Sequence, residues 1–187
     1  MSNPCTDYLT DLEYLKHMIP HHQVAIDMSN MLIDSGINDP ILLHLCRDII
    51  RKQDYEIWEM NFFLKNISET IFDEQKGKVM SCKTMLDKYA PVLSKSKDGD
   101  CDPLFFKPDD HAKHMKHMKI TPKSYLEHMI PHHQVAVDMS KRLLLHTNHS
   151  YLMDFAKKLI INQQGEIWYM NNLLMNKYTH ESDLLNK

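Results

Sequence analysis

The chain has 187 residues, 43% apolar and 25% charged, the make-up of one globular domain or two very small ones. A formal charge of −3 gives no electrostatic case for a nucleic-acid partner, and no apolar run reaches membrane-spanning length. Four glycines favour helices over a turn-rich β fold, whereas 14 Met and 13 His are an unusual surplus of thioether and imidazole, both of them metal donors.

The opening Met-Ser-Asn-Pro-Cys lacks a basic region followed by an apolar core, so no export signal is expected. The chain reads as soluble, with an intracellular location left open. A helix is predicted over residues 7–35, with Thr6 or Asp7 as its cap and Gly36 as its stop. Tyr8, Leu12, Leu15, Ile19, Ile26 and Ile33 follow helical spacing. Pro20 interrupts them, removes one backbone donor and frees the carbonyl of Lys16, which predicts a kink or a helix restart. Pro20 lies in a stretch, His17 to Ser29, that recurs as His128 to Ser140 with only Ile26 and Val137 differing. So long a repeat, rich in imidazole and thioether, reads as the ligand-bearing helix of a duplicated metal-binding hairpin.

A second helix is predicted over residues 39–67, with Asp39 as N-cap and Pro40 in its first turn. Its seam is Cys46, Ile49, Gln53, Glu56, Met60 and Phe63. The second copy of that seam is Ala156, Leu159, Gln163, Glu166, Met170 and Leu173. Gln and Glu therefore sit inside an apolar stripe twice. Cys46 falls at an apolar position and reads as a buried free thiol. No Cys-x-x-Cys pair occurs, which disfavours a zinc ribbon or a dithiol redox site, and Cys82 and Cys101 are able to pair.

Residues 68–119 read as a connector, weakly periodic from Ile71 to Tyr89 and polar from Ser94 to Asp102. It ends in a second donor-rich run, His111, His114, Met115, His117 and Met118, which is either a weak exposed copper site or a solvated arm. A third helix is predicted over 122–146 after Thr121, and a fourth over 150–178 with Ser150 or Asn148 as cap. Gly165 lies inside the fourth, where it would permit close approach of a neighbour. The organisation is thus a hairpin in residues 1–67, the connector, and a second hairpin in residues 120–187. Together they are expected to form one all-α four-helix bundle of two duplicated antiparallel hairpins, with metal sites built from inward-facing side chains.

At about 100° per residue, His17, His21 and Met28 share one face, while Met18, His22 and Ala25 share another beside the Ile19–Ile26 stripe. His22 and His133 are therefore expected in the core, and His21 and His132 nearer its margin. A carboxylate in an apolar seam is costly unless it is paired or bound to metal. Glu56 and Glu166 could each accept a hydrogen bond from a histidine, leaving the other ring nitrogen for a metal, or ligate directly. Met and His without paired Cys favour monovalent copper or silver, with divalent copper open through imidazole.

Met18 to Gln23, then Ala25, Asp27 and Met28, followed by Ile49, Ile50, Gln53, Glu56, Ile57 and Met60, resembles the family catalogued as domain of unknown function 305. The same pattern stands at Met129 to Met139 and at Leu159 to Met170. It departs from the family's usual glycine after Gln, having Val24 and Val135. The resemblance implies a ferritin-like bundle and, from some similar exported bacterial proteins, copper binding through Met and His with a role in copper tolerance. It carries the ligand role onto Met18, His21, His22, Met28 and Met60, and onto Met129, His132, His133, Met139 and Met170. His17 and His128 join them on local geometry alone.

Three functions compete. The first is a copper(I) or silver binder for buffering or tolerance. The second is a helical interaction module whose polar seam only sets pairing. The third is a di-metal carboxylate enzyme, which wants Glu-x-x-His motifs, and none occurs here. No nucleophile–base constellation stands out, so catalysis is not expected.

Overall fold

The computed structural model of the chain describes residues 9–66 and 120–178. The whole connector, with the His111–Met118 run, lies outside these residues, as do Thr6, Asp7, Cys82 and Cys101. The described elements are α1 (Asp11–Asp34), α2 (Pro40–Asn66), α3 (Pro122–Leu143) and α4 (Ser150–Leu173), with a π-helical turn at Leu174–Tyr178. They form a four-helix bundle with no strand among the described residues. No described helix is long and apolar enough to cross a membrane.

α1 begins later than its apolar spacing alone suggests, because Thr10 rather than an earlier residue caps it. The Glu13 amide donates to Thr10 Oγ1 (3.2 Å), and the Thr10 amide donates to Glu13 Oε2 (2.9 Å). This reciprocal pair satisfies two orphan donors at once, a device that contributes about 1 kcal/mol. Helix α1 ends at Gly36, whose φ of +80° suits glycine. Asp39 starts α2, its carboxylate accepting from the Ile41 amide at 3.1 Å. Lys177 and Tyr178 also donate to Asp39, which ties the π turn back to the start of α2. Thr121 caps α3 as Thr10 caps α1, with Ser124 in place of Glu13. α4 differs from expectation. Its N-cap is His149, with no side-chain cap bond, and Thr147 Oγ1 instead accepts from the His149 amide at 3.2 Å.

Neither proline restarts its helix. α1 runs through Pro20 and α3 through Pro131. An interior proline costs about 3 kcal/mol. Fully burying one Leu, Val or Met returns about 1.5–3 kcal/mol, and Leu15, Met18, Val24 and Met28 are all buried around Pro20. Packing on both sides outweighs the missing bond.

α1 packs along α2, α3 along α4, and α1 against α3. The α1–α3 contact is built from equivalent residues. The Tyr14 hydroxyl bonds Ser140 Oγ at 2.7 Å, and the Tyr125 hydroxyl bonds Ser29 Oγ at 2.8 Å. Tyr14 corresponds to Tyr125 in the repeat, and Ser29 to Ser140, so the two bonds are images of each other. Such reciprocity marks a pseudo-two-fold axis between antiparallel helices.

The apolar interior divides into two clusters. One holds Leu15, Met18, Met60, Phe63, Val135, Met139 and Leu159. The other holds Val24, Met28, Cys46, Ile49, Leu126, Met129 and Met170. Along α1 the change from one to the other falls between Met18 and Val24, and along α3 between Met129 and Val135. The paired histidines occupy that boundary.

Candidate metal centre

All four paired histidines are buried, His21 at 1% exposure and His22, His132 and His133 at 0%. The expectation that His21 and His132 lie near the margin is therefore overturned. Their rings stack on each other, 3.6 Å between centroids and 22° between planes. The reason is the partner helix. A wheel drawn for α1 alone places His21 away from the core stripe, but α3 presses its own His132 against that face. Equivalent residues that touch lie on the pseudo-two-fold axis.

His22 and His133 turn the other way, toward α2 and α4. His22 Nε2 lies 2.7 Å from Glu56 Oε2, and His133 Nε2 lies 2.9 Å from Glu166 Oε2. An ionised carboxylate only accepts, so the ring proton sits on Nε2 in each bond. In the neutral ring this leaves a lone pair on Nδ1. Both Nδ1 atoms are buried with no hydrogen-bond partner among the described residues. A lone pair so placed, on a ring held by a carboxylate, is what a metal-ligating histidine presents.

The thioethers are buried in the two apolar clusters that flank the paired histidines. Met18, Met28, Met60, Met129, Met139 and Met170 are all at most 1% exposed. Met18 and Met60 share their cluster with Met139 of the second copy, and Met129 and Met170 share theirs with Met28 of the first. Each set of three thus crosses between the repeats. Met18 stands one helical turn before His22, and Met60 one turn after Glu56. Met129 and Met170 stand likewise about His133 and Glu166.

The outer candidates are placed differently. His17 is half-buried, and burial pulls its pKa below the ordinary value against the charge of Glu13. His128 Nδ1 donates to the carbonyl of Ser124 at 2.7 Å, a bond within its own helix. Gln53 and Gln163 are buried in the seams, and among the described residues neither amide atom of Gln163 has a hydrogen-bond partner. Among the described residues no three His, Cys, Asp or Glu side chains converge on a point that could hold a metal ion.

Cys46 is a buried free thiol, as its position suggested, and burial pushes its pKa up to about 11. Gly165 serves otherwise than expected. Among the described residues no neighbour approaches it, and a Cβ built there would meet none of them within 4 Å. It lines a groove of about 520 Å³ between α2 and α4, beside Lys52 and Glu166.

Lys52 is a site neighbour that sequence patterning missed. Its ammonium lies 2.9 Å from Glu166 Oε1 and 2.9 Å from Asp48 Oδ2. Burial pushes the Glu166 carboxyl up, but the hydrogen bonds and charges of His133 and Lys52 outweigh it and hold the carboxyl below its usual range. The signal lay in comparing the two copies, since Lys52 aligns with Asn162.

Residues 11–174 match the family described as a domain of unknown function, DUF305. The chain belongs to this family. It is 44% identical over 69 residues to an uncharacterized protein of Acanthamoeba polyphaga mimivirus, a match covering 37% of this chain and 40% of the viral one. The chain thus spans less than half of that curated relative. Solved structures of CopM share the fold. The Cu(II)-bound form has a TM-score of 0.63 at 25% identity, covering 91% of this chain and 99% of CopM. The silver-soaked form has a TM-score of 0.60 at 26% identity, covering 92% and 99%.

Proposed function

We propose that this chain binds copper, with monovalent copper favoured and silver as its analogue, at two Met/His sites in the bundle interior. The observation that carries this reading is the pair of buried Nδ1 atoms on His22 and His133. A buried polar atom left unsatisfied costs about 1–3 kcal/mol, and the same cost recurs in both copies. A bound cation would remove it. Thioether beside imidazole is the donor set of a soft ion. The first site would use His22 with Met18, Met60 and Met139, and the second His133 with Met129, Met170 and Met28. Glu56 and Glu166 would orient the imidazoles. CopM has been solved with Cu(II) bound and with silver bound, which supports copper over iron or zinc. Buffering or copper tolerance is the matching role, and no reaction is assigned.

The test is a copper(I) titration of the reduced protein under a competing chelator, repeated after changing His21, His22, His132 and His133 together to Ala. Uptake of about two ions that is lost in the folded variant is the expected result. Unchanged affinity in that variant would leave the polar seam a pairing device, and iron uptake with oxygen consumption would favour a di-metal enzyme.

A further inference from the structure

The two candidate sites are images in sequence but not in their surroundings. His22 is backed by Glu56 alone, with no lysine or arginine ion-paired to that carboxylate among the described residues. His133 is backed by Glu166, and Glu166 also carries the Lys52 ammonium at 2.9 Å on its other oxygen. The position equivalent to Lys52 is Asn162, which has no charge. The position equivalent to Gly165 is Tyr55, a second departure from symmetry, and Gly165 lines the groove beside Lys52 and Glu166.

A carboxylate that backs a ligating imidazole raises its donor strength, and losing such a partner typically lowers metal affinity 10–100-fold. Lys52 takes up one oxygen of that carboxylate and cancels part of its charge. It also sets a fixed positive charge behind the ligand, which opposes a cation in front of it. Asp48 binds the same ammonium and offsets some of that charge, but it does not release the hydrogen bond on Glu166.

We infer that Lys52 is a positioning residue that makes the two sites unequal, so that the His22 site fills first and the His133 site accepts copper only at higher free concentration. This rests on the copper reading above. A chain with one tight and one weaker site buffers over a wider range of free copper than one with two equal sites.

The experiment uses the full chain with copper(I) under a competing chelator, and silver(I) as a second probe. Wild type is expected to bind in two steps about tenfold apart. Lys52→Leu, which keeps an apolar stem and adds no thioether, should raise the weaker step about tenfold and merge the two. Asn162→Lys, the reciprocal change, should weaken the tighter step. Without metal, the His133 ring nitrogen signals in an NMR spectrum should move toward those of His22 in Lys52→Leu, which a merely structural lysine would not produce. Two equal steps in wild type, or steps unmoved in a folded Lys52→Leu protein, overturn the inference. If copper binding still depends on the four histidines in that case, the copper reading survives alone. If it does not, both fall.

Discussion

His21 and His132 stack ring on ring at 3.6 Å on the axis that relates the two halves of the bundle. Each ring is therefore a packing element of both halves, whichever ion the interior holds. His21→Ala opens a void against His132. Truncating a buried ring to Ala costs about 3–5 kcal/mol for the larger aromatics, so about 2–4 kcal/mol is expected here. His21→Phe keeps a ring able to stack and should cost under about 1.5 kcal/mol. Urea denaturation of the metal-free protein measures both. If the ring matters only for packing, the Phe variant also keeps wild-type copper affinity. If Phe preserves stability but lowers affinity, the imidazole is a donor.

The crossed methionine sets predict which substitutions act together. Met28 lies in the first repeat but belongs to the same buried cluster as Met129 and Met170 of the second. Met28→Leu and Met129→Leu should therefore weaken the same copper step. Met18→Leu and Met139→Leu should weaken the other. Leu for Met conserves volume, so each change should cost less than about 1.5 kcal/mol of stability. Stepwise copper(I) titration of the four single variants checks the pattern. Grouping by repeat, with Met18 beside Met28, would contradict it.

Gln163 offers a test of a buried cost. Both of its amide atoms are buried without a hydrogen bond among the described residues. Replacing it by Leu removes an unsatisfied polar group, and stabilises the metal-free protein by about 1–3 kcal/mol if the packing is kept. Thermal unfolding of Gln163→Leu without metal should show a higher midpoint. A lower one would mean that the amide has a partner in solution, such as an ordered water.

The seams on α2 and α4 were legible because the 3–4 spacing of Ile49, Gln53, Glu56, Met60 and Phe63 belongs to one helix. So were the hairpins, the Asp39 start and the Gly36 stop. The orientation of His22 toward a carboxylate was legible too, since a Glu in an apolar stripe needs a donor. What escaped depends on pairs of helices. His21 looked marginal because a wheel treats α1 as if it were alone, and the second wall of its site is α3. The continuity through Pro20 also depends on burial supplied by other helices. Lys52 escaped because a lysine beside a seam reads as solvated, and only a carboxylate from α4 gives it a role.

The last expectation concerns acid. His146 is partly buried, and burial together with the charge of Arg142 pulls its pKa down to about 4, against the Arg142 backbone bond and the charge of Glu13. In the unfolded chain the same ring titrates near 6.5. Between those values the unfolded state takes up a proton that the native state refuses. Stability contributed by the neutral ring is thus complete above pH 6.5, declines as pH falls toward 4, and levels off below it. The span corresponds to roughly 3 kcal/mol at most. The carboxyl of Glu166, held below its usual range, acts at lower pH, and His17, whose pKa burial also lowers, contributes alike to wild type and to a His146 variant. His146→Leu removes the titrating ring. Urea midpoints measured at intervals from pH 7.5 to 4 should fall less steeply for that variant than for wild type, with the difference concentrated between pH 6.5 and 4. Parallel curves would show that His146 is protonated as readily in the folded protein as in the unfolded one.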